Sequence, residues 1–218
     1  MLAKPIRTGD SMPSRKAIIL VALFVALTGC TTKRATVSGN KVQTGVASWY
    51  GHPFDGRLTA NGEIYDMEKM TAAHRTFPFG TVLRVDDLDN GQTTKVRIND
   101  RGPFVQGRII DLSHAAAQTI SMAGIANVRL RVISTPPTRG AEVFAVQVKT
   151  FSQRSEADSF RVQMEREYGT ARLVFRDRDQ TWSVLVGLQP TMESANSLAL
   201  QLDKEAGPAF VVLVDSAQ

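Results

Sequence analysis

The region between residues 60 and 115 holds four side chains that could transfer protons: Glu63, His74, Asp100 and Asp111. Each lies in a segment richer in Gly, Asn or Arg than a hydrophobic core requires, and carboxyl and imidazole groups are common general acids and bases. A lone acid beside glycine is more often a turn or cap residue. Asp111 could also accept hydrogen bonds from backbone N–H groups at the start of a helix. Residue types alone therefore leave an acid–base role and a structural role open.

The cysteine and histidine content argues against a metal centre. The chain has one cysteine, Cys30, and three histidines, His52, His74 and His114, and it lacks an HExxH pattern. A single cysteine also excludes a disulfide framework within the chain and a multi-cysteine metal cluster. We therefore expect no metal and no cofactor.

The four candidate side chains belong to a mainly β region, residues 45–133. Residues 81–87 and 92–99 have strand-like patterns, and Asn90-Gly91 between them is a strong signal for a tight hairpin. Residues 127–133 alternate apolar side chains with arginine, as a half-buried strand does. Many short strands with glycine-rich corners predict a small closed barrel.

One helix is expected to begin close to Asp111. Ser113 can cap residues 114–122, and Gly124 can end the helix. The short distance from Asp111 to this helix is what makes a structural role for its carboxylate plausible.

Residues 143–218 have a different pattern, in which strands and helices alternate. Strands are expected at 144–151, 171–176, 182–188 and 209–214, and amphipathic helices at 155–168 and 194–206. The order βαββαβ predicts a four-stranded antiparallel sheet with two helices on one face. Pro136, Pro137 and Gly140 interrupt any regular element, so residues 134–142 are expected to be a Pro-rich linker.

The amino-terminal segment has the pattern of an export signal. Residues 17–27 form an uninterrupted apolar run of eleven, preceded by two basic residues. A helix of this length spans roughly 17 Å, too short for a hydrocarbon core of about 30 Å. We therefore expect residues 1–29 to be a signal peptide.

Cys30 ends the sequence LTGC, which resembles the bacterial lipobox. The resemblance implies that the thiol is diacylated, that the chain is then cut before the cysteine, and that the new amino group is acylated. The alternative is a buried free thiol in an uncleaved segment. Residues 30–44 are polar and aperiodic, so we expect a lipidated tether. Thr31 in place of Asp implies sorting to the outer membrane, on its periplasmic side.

The net charge of +5, from 26 basic and 21 acidic residues, gives little reason to expect nucleic-acid binding. Residues 1–29 account for +3, and the expected mature chain carries only +2. Most of that surplus lies in the tether, where it suits a membrane-proximal stalk better than a polyanion-binding face.

Four long segments together resemble one known family. They are GVASWYG (45–51), GRLTANGEIYDM (56–67), MTAAHRTFPFGTVLRV (70–85) and VRINDRGPFVQGRIIDLSHAAA (96–117), and they look like the rare lipoprotein A family. The resemblance implies a double-psi β-barrel at residues 45–133. Residues 143–218 are similar to the sporulation-related repeat (SPOR) domain, so the implied fold class is mainly β plus α+β.

The family implies a lytic transglycosylase that cleaves MurNAc–GlcNAc bonds in glycan strands lacking stem peptides, leaving 1,6-anhydroMurNAc ends. By the same resemblance, Asp100 is the expected general acid, and Glu63 and His74 match active-site positions that could tune Asp100 or hold the sugar. Asp111 matches the acid of related barrels, so an exchange of roles between the two aspartates stays open.

Further residues are implied to bind glycan. In the barrel these are Trp49 and Tyr50 as sugar platforms, Asp66 and Arg101, and in the second domain Gln147 and Trp182. A core aromatic pair at the barrel mouth is an equal alternative for Trp49 and Tyr50, and Arg101 could instead be structural. The second domain departs from many relatives at Lys149 and Ser183, which weakens its glycan assignment.

The expected partners are denuded septal glycan, a membrane through the lipid anchor, and divisome proteins. The expected location is the division septum, on the periplasmic face of the outer membrane, during daughter-cell separation. One alternative is a lipoprotein that binds or loosens peptidoglycan without cleaving it. A hydrolase is another alternative, and its products would have reducing ends.

Overall fold

A computed structural model describes residues 42–137 and 141–214. The predicted signal peptide, the lipidation site Cys30 and most of the predicted tether lie outside the described residues. Among the residues that are described, no helix is both long and apolar enough to cross a membrane.

The first domain is a closed barrel of six strands with one short helix. Its elements are β1 (Val42–Tyr50), β2 (Thr71–Ala73), β3 (Val82–Asp87), β4 (Thr93–Asp100), β5 (Arg108–Ser113), α1 (His114–Thr119) and β6 (Ala126–Ser134). The strand order is β1-β5-β2-β4-β3-β6, and β6 closes the barrel by pairing with β1. The expected barrel is confirmed, and parallel pairs β1/β5 and β2/β4 bring together residues distant in sequence.

The barrel interior is filled by apolar side chains from all of its longer strands. Fully buried members include Leu83, Val96, Ile98, Ile110, Leu112, Val128 and Leu130. Burying such side chains stabilises the fold by about 1.5–3 kcal/mol each. The strand ends that carry Asp100 and Asp111 are therefore fixed by a packed core.

Two boundaries differ from the sequence-based expectation. Strand β1 begins at Val42, inside the segment 30–44 expected to be a tether, because residues 42–46 pair with β6. Their polar composition hid the strand, since Val42 and Thr44 face solvent. Helix α1 ends at Thr119 and not at residue 122. Ser121 adopts a left-handed φ of 52°, which ends the helix before Gly124.

The second domain is a four-stranded antiparallel sheet with two helices. Its elements are β7 (Val143–Phe151), α2 (Arg154–Tyr168), β8 (Ala171–Arg176), β9 (Thr181–Gln189), α3 (Met192–Ala206) and β10 (Phe210–Val214). The strand order is β10-β7-β9-β8, which confirms the βαββαβ expectation. Helix α3 begins two residues earlier than expected because the Thr191 side chain accepts a hydrogen bond from the Ser194 N–H.

The two faces of this sheet have different neighbours. One face packs on α2 and α3 through Val146, Val184 and Leu202. On the helix-free face, Ala145, Leu185 and Val212 form a cluster against Phe104 of the barrel. The barrel and the second domain thus pack together within one compact unit.

Candidate active site

Strand β2 brings Asp100 and Asp111 to the same place in the barrel. Ala73, at the end of β2, is the register partner of Asp100 on one side and of Asp111 on the other. Neighbouring strands lie about 4.8 Å apart, so the two backbones are separated by roughly 10 Å with Ala73 between them. Two carboxylates that are 11 residues apart in sequence therefore flank one strand end.

Gly102 lies at the floor of the space between these carboxylates. A Cβ atom added to Gly102 would lie 3.5 Å from Asp111 Oδ2 and 3.8 Å from the Cβ of Ala73. The backbone φ of Gly102 is 145°, a value that side-chain-bearing residues rarely adopt. Glycine thus leaves room beside the carboxylates that another residue would fill.

Asp100 is 4% exposed and is held through both carboxylate oxygens. Its Oδ1 accepts hydrogen bonds from the backbone N–H groups of Ala60, at 3.0 Å, and Arg101, at 2.8 Å. Its Oδ2 accepts one from Nη1 of Arg178, at 3.0 Å. The two backbone donors fix the orientation of the carboxylate, and Oδ2 is the oxygen that a side chain of the second domain reaches.

Asp111 is held by side chains on β1 and β5. The Ser48 hydroxyl donates a hydrogen bond to Asp111 Oδ1, and Arg108 donates one to the Ser48 hydroxyl oxygen at 3.3 Å. Burial raises the pKa of Asp111, although Ser48 and the charges of Arg178 and Arg108 oppose the shift. Asp111 therefore takes up a proton more readily than an ordinary aspartate.

Glu63 is anchored on β4, away from the two aspartates. Arg97 donates two hydrogen bonds to its carboxylate at 2.9 and 2.8 Å, and Asn99 donates one at 3.2 Å. These bonds lower the pKa of Glu63 to about 2, with that from Arg97 the largest cause. Glu63 is thus ionised near neutral pH. It secures the loop of residues 59–63, from which Ala60 donates to Asp100.

His74 is buried and neutral. Its Nδ1 accepts hydrogen bonds from the N–H groups of Thr76 and Phe77 at 3.1 and 3.0 Å, so the proton lies on Nε2, 3.0 Å from Oε1 of Gln43. Burial lowers the pKa of His74 to about 3. The backbone N–H of His74 donates to the Asp100 carbonyl at 3.1 Å. His74 is thus joined to the Asp100 main chain, and its role in tuning Asp100 or holding the sugar stays a prediction.

The two aromatic residues expected to contact sugar lie on opposite faces of β1. The Tyr50 ring stacks on Tyr65 at 4.3 Å, and its buried hydroxyl has no hydrogen-bond partner among the described residues. Burial raises the pKa of Tyr50, and the charge of Asp100 adds to the shift. Trp49 packs beside His114 at 5.2 Å and donates to the Ala123 carbonyl. The structure therefore brings Tyr50 to the aspartates and leaves Trp49 outside.

Asp66 and Arg101 lie apart from the space between the aspartates. Asp66 is in a surface turn, where its carboxylate accepts a hydrogen bond from the Glu68 N–H at 3.0 Å. The Arg101 side chain points the other way. It donates to the Phe77 carbonyl at 2.9 Å, and its guanidinium lies 3.8 Å from the Phe79 ring centroid. The structural alternative for Arg101 fits this arrangement.

The glycan candidates of the second domain lie on opposite faces of its sheet. Gln147 is on the helix-free face and lines a cavity of about 440 Å³ between that face and the barrel. Trp182 is on the helix-facing side, 4.9 Å from the Phe175 ring and 5.1 Å from the Arg154 guanidinium. A ligand bound to one face cannot contact both residues.

Sequence reasoning missed Arg178, which lies between the strands expected at residues 171–176 and 182–188. This residue lies at the tip of the β8–β9 connection, and its guanidinium lies 5.1 Å from the Tyr50 ring centroid and 5.8 Å from that of Phe54. Three consecutive charges at residues 177–179 mark the turn as unusual. Nothing in the local pattern indicates contact with Asp100, 78 residues away.

The described residues offer no ready-made metal site. Within 42–137 and 141–214, no three His, Cys, Asp or Glu side chains are grouped so that they could hold an ion. Carboxyl groups in this arrangement can exchange protons with a bound molecule.

Comparison with known proteins gives the family of each domain. Residues 42–130 match the family model described as "Lytic transglycolase", and residues 140–213 match the model described as "SPOR domain". Among solved structures, the chain is similar to the Streptomyces papain inhibitor (23% identity, 43% of this chain, 94% of that chain). The TM-score of 0.36 is too low to support an inference.

Three curated relatives have related names. The "Endolytic peptidoglycan transglycosylase RlpA" of Vibrio cholerae is 58% identical over 100 residues, covering 44% of this chain and 38% of the relative. A "Probable endolytic peptidoglycan transglycosylase RlpA" of Synechocystis is 50% identical over 114 residues (51% and 35%). A Neisseria meningitidis protein with the same name as the Vibrio relative is 42% identical over 135 residues, covering 59% of this chain and 56% of the relative. The matched part thus spans between about a third and just over half of each relative. With both domains matched in this order, the chain belongs to the rare lipoprotein A family.

Proposed function

We propose that this chain is an endolytic lytic transglycosylase that acts on peptidoglycan glycan strands. The observation that carries the proposal is the convergence of Asp100 and Asp111 on either side of Ala73, next to Gly102, which has no side chain to cover them. This pair lies in the domain that matches the lytic transglycolase model.

The chemistry requires one carboxyl group to act twice. A protonated carboxyl gives its proton to the glycosidic oxygen as the bond to C1 of MurNAc breaks. The C6 hydroxyl of the same sugar then bonds to C1 and gives its proton to the carboxylate, so a 1,6-anhydro end forms and no water is consumed. Because the attack is intramolecular, proximity takes the place of the activated water that a hydrolase needs.

We assign this proton transfer to Asp100. Two backbone N–H groups hold Oδ1, so Oδ2 is the oxygen directed towards the space between the aspartates. Asp111 is the alternative because burial raises its pKa, as a general acid requires. Tyr50 is the aromatic surface placed to contact the sugar beside Asp100.

The proposals for the substrate strands, the cellular location and the lipid anchor rest on sequence features. The match to a SPOR domain supports strands that lack stem peptides, and action at the septum in daughter-cell separation. Gln147, on the helix-free face of that domain, is the candidate glycan contact there. The LTGC sequence supports a lipid anchor at Cys30 in the outer membrane, facing the periplasm.

A non-catalytic glycan binder is the second candidate. The ion pair between Arg178 and Asp100 favours it, because Arg178 occupies the Asp100 oxygen that a proton transfer to the glycosidic oxygen would use.

The test is the product formed from glycan strands freed of peptides by an amidase. The chain from residue 31 onward contains all described residues and should convert these strands to fragments with 1,6-anhydroMurNAc ends, as seen by mass spectrometry. Reducing ends in their place would indicate a hydrolase, and binding without cleavage would favour the second candidate.

A further inference from the structure

The connection between β8 and β9, residues 176–181 and here called the blocking hairpin, reaches across to the barrel. The Leu58 N–H donates to the Asp177 carboxylate at 3.0 Å, and the Arg57 guanidinium donates to the Arg178 carbonyl at 3.0 Å. Ala60, which donates to Asp100, lies in the same barrel loop. The hairpin is therefore bonded to the loop that orients the candidate acid.

Arg178 fills the space beside the candidate acid. Only 12% of its side chain is exposed, and its Nη2 lies 3.4 Å from the position of a Cβ added to Gly102. Its guanidinium also lies over the rings of Tyr50 and Phe54. A buried cation is costly unless it is paired, and the Asp100 carboxylate is the partner of Arg178 here, with Nη1 3.0 Å from Oδ2.

The contact continues along the helix-free face of the second domain. Phe104 of the barrel packs into that face, the Arg176 guanidinium lies 4.3 Å from its ring, and Phe210 meets the same ring edge to face at 6.0 Å. The Leu213 N–H donates to the Arg75 carbonyl at 3.0 Å. The barrel thereby covers the face that carries Gln147.

A glycan strand would need the place that Arg178 occupies. The transition state of glycosidic cleavage carries positive charge near C1 of the sugar, next to the acid. A guanidinium that lies over an aromatic ring and pairs with Asp100 reproduces this charge at that position. It also occupies Oδ2 of Asp100, the oxygen that a glycosidic oxygen would need to reach.

We propose that the blocking hairpin is an intramolecular pseudosubstrate, which closes the active site until a glycan strand displaces Arg178. The proposal rests on the proposed function for the reaction that is blocked. Displacement also frees the helix-free face, so glycan binding there and opening of the barrel are the same event. Strands long enough to contact both domains are the substrates that open the site.

The first test is Arg178→Gln in the chain from residue 31 onward. This change removes the charge and keeps a hydrogen-bonding side chain. We expect kcat/KM for cleavage of peptide-free glycan to rise about fivefold or more, the lower end of ordinary coupling between sites. Arg166→Gln is the matched control, because Arg166 is an exposed arginine on α2. A fall in activity with Arg178→Gln would overturn the proposal and make Arg178 a catalytic residue.

The second test does not depend on cleavage. The Leu58 N–H is bonded to the blocking hairpin, so hydrogen exchange of residues 57–60 should be slow in the wild-type chain. It should quicken in Arg178→Gln and when peptide-free glycan is added to the wild type. If no variant cleaves glycan, the proposed function fails, and this exchange response still decides whether glycan displaces the hairpin. If hydrogen exchange of residues 57–60 is equally slow in Arg178→Gln and in the wild type with glycan added, the proposal is overturned.

A third variant locks the closed state. Leu58→Cys combined with Asp177→Cys joins the barrel loop to the hairpin by a disulfide in a chain that lacks Cys30. The oxidised protein should be inactive, and dithiothreitol should restore activity. Equal activity before and after reduction would contradict the pseudosubstrate role.

Discussion

The barrel and the blocking hairpin meet at Asp100, but they are held there in different ways. In the barrel, Asp100 and Asp111 are fixed by pairing to β2 on both sides and by backbone donors. The blocking hairpin is held against the barrel by one ion pair, by three other hydrogen bonds that its carboxylate and carbonyl oxygens accept, and by ring contacts.

This difference separates what the fold fixes from what can move. Strand pairing and core packing hold the aspartates as long as the barrel is folded. Polar contacts between domains are weaker and separable, since relative domain motion is expected unless the interface is large and apolar. Changes in the barrel should therefore cost activity or stability, whereas changes in the hairpin should release activity.

The largest expected effect is that of Asp100→Asn on turnover. An amide cannot supply the proton, so the rate of 1,6-anhydroMurNAc formation should fall by about 10² to 10⁴, the contribution of a general acid. Asp111→Asn should lower this rate by a smaller factor, because Asp111 does not transfer the proton directly to the glycosidic oxygen. Rates are measured on peptide-free glycan at one pH.

Asp66→Asn is the control for that comparison, because it removes an exposed carboxylate from a surface turn. It should behave as the wild type. Full activity in Asp100→Asn, together with loss in Asp111→Asn, would exchange the roles of the two aspartates.

The same contrast explains what could be predicted from the sequence. Alternating strands, the Asn90-Gly91 turn and the Ser113 cap depend on local chemistry, and all three appear where expected. Helix α2 likewise begins at Arg154, one residue before its expected start at residue 155. Asp100 was recognisable because its surroundings resemble a family, which carries information that residue patterns alone lack.

Arg178 could not be found in this way. Its role depends on how one domain packs on the other, and the pattern of residues 177–180 indicates only an exposed turn. Strand residues 42–44 were missed for a related reason. Their partner strand lies more than 80 residues away, and the apolar Val42 faces solvent together with Thr44, so no alternation of apolar and polar side chains marks the strand.

The next effect is that of Gly102→Ala on stability. The backbone φ of 145° is strained for alanine, whereas the added Cβ would make only ordinary contacts with Arg178 Nη2 and Asp111 Oδ2, at 3.4 and 3.5 Å. We expect a loss of about 2–3 kcal/mol in the free energy of unfolding by denaturant, from backbone strain. Gly62→Ala is the matched control, since its φ is 86° and nothing lies within 4 Å. It should cost only about 1 kcal/mol. Equal losses would show that the backbone at Gly102 is no more restrictive for alanine than that at Gly62.

A smaller effect is the pH dependence of stability that His74 produces. Burial lowers the pKa of His74 to about 3. Below about pH 6.5, His74 therefore binds a proton in the unfolded chain but not in the folded chain. Stability should therefore fall as the pH falls from about 6.5 towards 3, by about 2 kcal/mol between pH 7 and pH 5.

The variant that isolates this effect is His74→Gln, measured by denaturant unfolding at both pH values. It should be less stable at pH 7 but lose that part of the pH dependence. His52→Gln removes an exposed histidine and leaves the buried imidazole in place. If His74→Gln kept the full pH dependence of the wild type, the buried neutral imidazole would not be its source.

The smallest effect is that of Glu63→Gln, which tests how the loop that faces the blocking hairpin is held. The Glu63 and Arg97 side chains are 44% and 38% exposed, so solvent screening limits their pair to about 0.2–1 kcal/mol. The pKa of Glu63 is lowered to about 2, so this contribution is present above the unfolded pKa of about 4.3. It should be lost as the pH falls through about 2. Thermal unfolding at pH 6 and pH 2 should therefore separate the variant from the wild type at the higher pH and bring them much closer together at the lower. Glu156→Gln, which removes a carboxylate from α2, should show no such convergence.

Because Glu63 secures the loop that supplies the Ala60 N–H, Glu63→Gln should also lower kcat more than it changes KM. A change confined to KM would mean that Glu63 contacts the sugar and does not act through Asp100.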